Sequence, residues 1–513
     1  MSTYLEYLNK KDDVVDEHEN SQSRVTIDRW IFGLFLVLLG VMPLLVFGNV
    51  EEVISPLISN VDMLSSGVKS DLFTHYKSIM LLIFTAIISI MFFIKIFFMD
   101  GQLKKTILNY FIGAFVIAIV LSTIFSPNIT IALNGQYNRS DGALSWLCYI
   151  ALMFIAMNIE YPKNVVRYIM YTMIPFVYIN LYIITMNFYS KDLLQKSWLQ
   201  KLVSSTLPEG AGLSEGSQLV GTLNQWNYMS GMFAVMAIFY LAWSLTEKNL
   251  IQSIIGMVTS VVSTAIMLMA LSTSGFLTML VTLIFVVLLI FKVTNKKKAI
   301  GLLLGFVVLN TIVFNVLANE NKRIWDESFG FIISNNPYEG IEEVSISKLL
   351  DSKVYAADEV FELPVLPEAG WAPGTGRLYI WEKTMDLVKE RPLFGYGMDS
   401  IAYNFPHYNI DARGGNNSEN TIVDKPHNMY LGVLYGTGIV GGIALLLLVG
   451  AVCIIGLREV FINKNVMLGG VTCAVIAFAI QAMFNDSLPG MVPLLFVLMG
   501  ILVVKSKEQI IEV

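Results

Sequence analysis

The sequence predicts an all-α polytopic membrane protein with about 12 transmembrane helices and a large extracytoplasmic loop that carries amphipathic helices. Hydrophobic residues make up 55% of the chain and charged residues only 14%, with a mean hydropathy of +0.63. A soluble protein has about a quarter of its residues charged. Apolar segments of membrane-spanning length recur along the chain, and lysine and arginine cluster in alternate loops between them.

The apolar segments divide the chain into spans and loops. The predicted spans are 30–48, 78–99, 107–125, 143–159, 168–188, 228–245, 250–271, 275–291, 299–317, 439–457, 466–484 and 491–504. This pattern gives a polar tail (1–29), an N-terminal bundle of about nine helices (30–317), a large loop (318–425), C-terminal helices (426–504) and a short tail (505–513). The first tail is highly charged, so we expect it to be mobile.

Basic residues in short loops predict the orientation. Because positive charge marks the cytoplasmic side, we expect both termini in the cytoplasm and residues 318–425 outside it. The net charge of -6 argues against a nucleic-acid partner. Cys148, Cys453 and Cys473 lie in apolar runs, and the outer loops contain no cluster of metal ligands, so we expect neither a metal nor a cofactor.

Two segments of the large loop indicate chemistry. Leu378, Trp381, Met385 and Val388 recur at helical spacing and predict an amphipathic helix that begins at Arg377. An arginine at a helix start presents a forked donor suited to phosphate. The helix is expected to end before Pro392, and a tight turn should follow at Gly395-Tyr396-Gly397.

His427 and Arg139 are the other candidates. Pro426 suits the first turn of a helix, which would fix His427 at a helix start beside lipid, where an imidazole can accept a proton. The alternative is a solvated loop histidine. Arg139 is the one basic residue of the loop 126–142. It is either a second cation aimed at a shared anionic site or an ordinary surface residue.

Several of these segments share their order and spacing with a known family, over roughly residues 107–484. The matching elements are Ser126-Pro127, Gly135, Arg139 and Asp141-Gly142; Gly221-Thr222-Leu223-Asn224 with Asn227; Arg377, Trp381, Pro392-Leu393, Gly395 and Gly397; and His427-Asn428, Tyr430-Leu431, Gly436 and Gly438. Together they resemble the O-antigen ligase and O-antigen polymerase superfamily of bacterial envelope polysaccharide enzymes. One departure is Ser272-Thr273-Ser274-Gly275, where members often have Ser-Arg-Gly, so an arginine is missing.

The resemblance implies a metal-independent glycosyltransferase in the bacterial cytoplasmic membrane. It would polymerise polyprenyl-pyrophosphate-linked oligosaccharide repeat units on the outer face, among membrane lipid and with a chain-length regulator as a possible partner. The implied catalytic residue is His427. The implied contacts are Arg377, Arg139 and Arg413 with the donor pyrophosphate, and Asn428, Tyr430, Asn224 and Asn227 with the substrate. Alternatives are a ligase that moves a finished glycan to another acceptor, and a polysaccharide transporter or lipid-sugar flippase.

Overall fold

The computed structural model describes most of the chain. The described residues are 2–55, 65–208, 219–223, 225–333, 335–338, 377–407 and 422–506. Two residues predicted for the site, Asn224 and Arg413, lie outside them, as does most of the acidic first half of the large loop.

The described chain is almost entirely helical. Its elements are α1 (Ser2–Val41), β1 (Asn49–Val53), β2 (Gly67–Asp71), α2 (His75–Phe98), α3 (Leu108–Ile124), α4 (Ile129–Asn134), α5 (Ala143–Met157), α6 (Val165–Phe188), α7 (Ser197–Val203), α8 (Trp226–Thr246), α9 (Leu250–Met269), α10 (Thr273–Leu289), α11 (Lys296–Glu320), α12 (Arg323–Asp326), α13 (Arg377–Glu390), α14 (Ile401–Asn404), α15 (Met429–Phe461), α16 (Gly469–Gln481) and α17 (Val492–Lys505). Strands β1 and β2 form one antiparallel hairpin, with Asn49 opposite Asp71.

Helix α8 is the centre of the bundle, and every residue from Tyr228 to Leu245 is buried. It packs against α9, α10 and α16. A side chain at Gly231 would overlap Gln481, and one at Gly275 would overlap Ser230. Small residues at helix crossings let helices approach closely where lipid gives no hydrophobic drive to associate.

Each of the twelve predicted apolar segments overlaps a helix. Within the described ranges, seven helices are long and apolar enough to cross a membrane, while α3, α5, α10, α16 and α17 belong to shorter apolar helices. The mostly helical membrane architecture is therefore confirmed, whereas the count of twelve spans stays a prediction. Helix α5 is one of the shorter helices, but it still connects the two ends of the bundle. It starts beside Asp141, and its capping residue Asn158 accepts a hydrogen bond from Lys95 at the other end through its carbonyl.

The two ends of the bundle differ in their polar contacts. At one end, which we name the loop end, the segments around Arg139, Asp399, Asp424 and Asp486 meet. At the other end, Lys95 pairs with Asp28 at 2.7 Å and Arg167 pairs with Glu247 at 3.1 Å. Segments that were predicted to lie on the same side of the membrane thus contact one another. Which side of the membrane each end faces stays a prediction.

The polar N-terminal tail is helical. Residues 2–29 form the first part of α1, which continues without a break into the first apolar segment, and the expected mobility of this tail stays a prediction. The segment contains no glycine or proline. Because extending an existing helix adds one hydrogen bond per residue without a new nucleus, the helix extends through a polar sequence that lacks breakers.

Helix α15 is interrupted at Gly438, where φ is +73°. The predicted turn at Gly395–Gly397 packs against this break, and both of its glycines have positive φ. The N–H of Gly397 donates to the Gly436 carbonyl at 2.9 Å, and the N–H of Ile439 donates to the Pro392 carbonyl at 2.8 Å. The backbone groups released by the break are thereby satisfied by the loop, which fixes the loop on the bundle.

Candidate active site

His427 lies at the loop end, two residues before helix α15, with φ at +53°. The prediction that His427 and Pro426 belong to the first helical turn is wrong. Asn428 is the capping residue, because its side chain accepts a hydrogen bond from the Leu431 N–H at 3.1 Å, and the helix therefore begins at Met429. His427 is held in the left-handed region immediately outside the helix.

Asp486, on the loop between α16 and α17, is the partner of His427. Its Oδ2 lies 3.4 Å from His427 Nδ1, and the two side chains are 12% and 26% exposed. Burial opposes ionisation of Asp486, but His427, Lys425 and Arg139 outweigh burial and lower its pKa. A carboxylate beside Nδ1 favours a proton on that nitrogen and leaves Nε2 to accept one.

Arg377 begins helix α13, and its charge is not paired with any described residue. Its guanidinium makes no hydrogen bond or ion pair with any residue in the described ranges. Burial lowers the pKa of Arg377, and the carboxylate of Asp486 opposes this effect, which places the two groups within electrostatic reach of each other. Trp381 Nε1 donates to the Pro426 carbonyl at 2.7 Å, so α13 is tied to the residue before His427.

Arg139 is buried and already paired. It contacts the Asp399 carboxylate, and its Nη1 lies 3.2 Å from Asp424 Oδ2 while Nη2 donates to the Asp424 carbonyl at 2.9 Å. Burial would lower the pKa of Arg139, but the two carboxylates raise it. Arg139 therefore links three loop segments, and a contact with pyrophosphate stays a prediction for this residue.

Two site residues were missed by the sequence reasoning. Asp486 directly follows an apolar segment, and an ionisable residue at such a position is by default a functional candidate. Lys425 is buried, with Nζ 3.1 Å from Gln225 Oε1 and 3.7 Å from Asp424 Oδ2. It also lies 5.2 Å from the ring centroid of Tyr228. Its position directly before Pro426-His427 was the available signal.

A buried acid lies behind Lys425. Asp141 accepts hydrogen bonds from the Tyr149 hydroxyl at 2.9 Å and from Trp146 Nε1 at 3.3 Å, and it also contacts the Ser487 hydroxyl. Burial, with a further contribution from the Asp399 carboxylate, raises the pKa of Asp141 to about 8. Asp141 is thus held largely in its neutral form at neutral pH, next to the loop that carries Asp486.

The other predicted contacts are found in structural roles. Asn428 caps α15, the Tyr430 hydroxyl donates to the Ala479 carbonyl at 2.9 Å, and the Asn227 carbonyl accepts from Asn485 Nδ2 at 2.9 Å. These bonds leave the predicted substrate contacts untested. Hydroxyl groups occupy the segment that lacks the arginine: Ser272 and Ser274 are 3.1 Å apart, and Thr273 donates to Glu327 at 2.8 Å.

An apolar groove runs from the site along α15, with α13 over its mouth and α16 as its other wall. Its volume is about 710 Å³. The lining residues include Trp381 and Met385 of α13, Asn428 at the head of α15 and Cys453 further along it. The groove therefore continues from the segment of α15 before the break at Gly438 to the apolar segment after it.

Helix α13 uses a different buried face from the one predicted. Tyr379, Ile380, Thr384, Leu387 and Val388 are buried. Of the predicted stripe, only Val388 belongs to that face, while Leu378 and Met385 are 55% and 38% exposed. The predicted stripe instead includes Trp381 and Met385, which line the groove. This helix therefore has one apolar face toward the protein and another toward the groove.

Residues 258–446 match the family model described as O-antigen ligase. The match contains Arg377 and His427, whereas Arg139 and Asp486 lie outside it. No curated protein matches the chain significantly. The match confirms the resemblance on which the sequence reasoning relied, and this helical membrane protein therefore resembles the O-antigen ligase and polymerase superfamily, which points to glycan transfer or polymerisation in envelope polysaccharide synthesis.

Proposed function

We propose that this protein polymerises polyprenyl-pyrophosphate-linked repeat units on the outer face of the bacterial cytoplasmic membrane. The observation that carries the proposal is the position of the His427–Asp486 pair and of Arg377, which has no partner among the described residues, beside an apolar groove whose lining includes Trp381 and Asn428. A lipid-linked sugar presents the matching sequence of groups: an apolar chain, then a pyrophosphate, then the reacting anomeric carbon.

The chemistry follows from the roles that these side chains can take. His427 Nε2 accepts the proton of the acceptor hydroxyl as its oxygen bonds to the anomeric carbon of the donor. The bond from that carbon to the pyrophosphate oxygen breaks, and the lipid pyrophosphate leaves with the electron pair. Asp486 stabilises the imidazolium that forms. Arg377 offsets the charge on the leaving pyrophosphate, which a guanidinium can do without a metal.

The groove supports a polyprenyl chain as the lipid. Its lining is apolar along α15, from Leu431 through Leu446 to Val449, with Tyr430 and Asn428 near its head. Burying apolar surface there contributes binding free energy of about 25 cal/mol per Å². This binding also fixes the pyrophosphate in register with Arg377, since the head of the chain is covalently attached to it.

A ligase is the second candidate, because the matched family model is described as O-antigen ligase. The residues described above would act identically on a finished glycan, and only the acceptor would differ. In a polymerase both donor and acceptor are lipid-linked repeat units. Analysis of the products therefore separates the two, since a ligase leaves chain length unchanged and moves the chain to a new carrier.

The test compares two histidines of the same loop. His427→Ala should accumulate unpolymerised lipid-linked units while the protein still inserts at normal level, because loss of a positioned base costs about 10²–10⁴-fold in rate. His407, whose Nε2 lies 3.1 Å from the Ala402 carbonyl, supplies the control, and His407→Ala should be milder. Long chains made by His427→Ala, or equal defects in both variants, would refute the catalytic assignment.

A further inference from the structure

A second cavity opens at the loop end, separate from the groove and from His427. Strand β1 and the residues after it form one wall, with Glu51 and Glu52. The segment from Pro127 to Tyr137, which includes α4, forms the opposite wall, and Tyr403 of α14 closes it. The cleft has a volume of about 630 Å³. Pockets for drug-sized ligands measure about 300–1,000 Å³, so this cleft has room for a ligand of that size.

The lining of this cleft has the chemistry that sugars require. Asn128, Asn134 and Gln136 present amides, which both donate and accept hydrogen bonds. Tyr137 and Tyr403 present aromatic rings, which pack against the apolar faces of sugar rings. The described lining residues include no lysine, arginine or histidine but contain two carboxylates, so the cleft does not suit pyrophosphate.

Gln136 supplies an independent indication of a ligand. Its side chain is 1% exposed, and neither Oε1 nor Nε2 has a hydrogen-bond partner among the described residues. Buried side-chain amides are almost always paired. A ligand with hydroxyl groups that displaced a neighbouring side chain of the lining would reach these two atoms and satisfy them.

The cleft is connected to the candidate active site through Gln136. The backbone N–H of Gln136 donates to Asp399 Oδ2 at 2.6 Å, and Asp399 contacts Arg139. Arg139 in turn binds Asp424, which precedes His427 by three residues in the sequence. The cleft thus meets the buried ion pairs of the loop end through Gln136, whereas the groove meets His427 through Asn428 and Trp381.

We infer that this cleft binds the sugar chain of the acceptor, with a preference for uncharged or amino sugars over acidic ones. This inference rests on the proposed function, in which the donor's pyrophosphate and lipid occupy Arg377 and the groove. The acceptor must bring a hydroxyl to the same reaction centre with its own anionic group remote from it. A cleft whose described lining holds amides and no cation, with Glu51 and Glu52 at one wall, fits that part of the acceptor.

The test uses a soluble probe, the repeat-unit oligosaccharide released from its lipid by mild acid, and the full-length protein in nanodiscs. Gln136→Leu keeps the side-chain size and removes both polar atoms. The matched control is Gln252→Leu, since Gln252 Oε1 is likewise buried without a partner but belongs to α9. Isothermal titration should give the same Kd for wild type, Gln252→Leu and His427→Ala, and a Kd at least tenfold higher for Gln136→Leu.

The outcomes separate the cleft from the proposed function. Equal binding by wild type and Gln136→Leu, or no binding by wild type, would overturn the cleft. If His427→Ala still makes polymer while oligosaccharide binding depends on Gln136, the proposed function fails and the cleft stands. Gln136→Leu should melt at or above the wild-type temperature, because no hydrogen bond within the described protein is lost. A lower melting temperature would instead assign Gln136 a structural role.

Discussion

The pairing of His427 with Asp486 gives the sharpest prediction. Asp486→Asn keeps the size of the side chain and removes its charge, so His427 loses the group that stabilises its protonated form. His427 and Asp486 are 3.4 Å apart between Nδ1 and Oδ2. If His427 becomes an imidazolium only in the transition state, this loss appears in the reaction rate rather than in substrate binding.

The distance between His427 and Asp486 determines the expected loss of rate. Two unit charges at that distance attract by about 5 kcal/mol at an effective dielectric constant of about 20. Because 26% of the His427 side chain is exposed, water screens part of this attraction. We take about 2–3 kcal/mol, which corresponds to a loss of roughly 30- to 150-fold in rate. His427→Ala removes the base itself and should cost about 10²–10⁴-fold.

The assay is the initial rate of polymer formation from purified lipid-linked repeat units in nanodiscs. The double variant His427→Ala/Asp486→Asn should be no slower than His427→Ala, since the aspartate then has nothing to stabilise. Asp386→Asn, which removes an exposed helix aspartate paired with Lys389, is the matched control and should match wild type. An Asp486→Asn rate within threefold of wild type, or additive losses in the double variant, would refute the reasoning.

Four further predictions address separate parts of the molecule. Arg377→Lys should stay impaired almost as much as Arg377→Ala in the same assay, because lysine keeps the charge but loses the forked geometry; full activity in both would make it a surface charge. Gly450→Leu should fill the groove and slow polymer formation roughly tenfold, or about 1.4 kcal/mol. The control Gly301→Leu should not, since a Cβ at either glycine would meet no described atom within 4 Å but, of the two, only Gly450 lines the groove. Because burial raises the pKa of Asp141 from 3.8 to about 8, its neutral form stabilises the fold fully below about pH 4, and that stability is lost as pH rises through 8. The melting temperature of Asp141→Asn should therefore fall less than that of wild type between pH 6 and 9. Over this range the free energy of unfolding of wild type falls by at most about 1.4 kcal/mol per pH unit. Equal falls in melting temperature would contradict the raised pKa. A cysteine at Glu52 should react with an impermeant maleimide in intact cells, and labelling only after permeabilisation would reverse the predicted orientation.

The helices could be predicted because their signal is local. An apolar run of membrane length specifies a helix by itself, since every backbone group must be satisfied within lipid. The turn at Gly395–Gly397 was predicted for the same reason, from adjacent residues. The helix formed by residues 2–29 was not predicted. The charge content of this segment indicates solvation and does not reveal that the helix of residues 30–41 extends through it.

Partners distant in sequence were beyond reach of the same reasoning. Arg139 and Asp424 are 285 residues apart in the chain, and Gln136 and Asp399 are 263 apart. Neither pair has a spacing that a helix or turn would impose. The sequence therefore predicts where ionisable side chains gather, through the loops that carry them, but not which of them neutralise one another.

That difference decides which arginine can bind an anion. In the sequence, Arg139 and Arg377 both belong to outer-loop motifs and carry the same charge. In the structure, two carboxylates surround Arg139, whereas no described residue pairs with Arg377. A pyrophosphate that approached Arg139 would meet Asp399 and Asp424 first, and their repulsion offsets the attraction of the guanidinium. A pyrophosphate at Arg377 meets a partly buried cation that no described residue pairs, so Arg377 should dominate donor binding, and Arg139 should act by holding the loops around it.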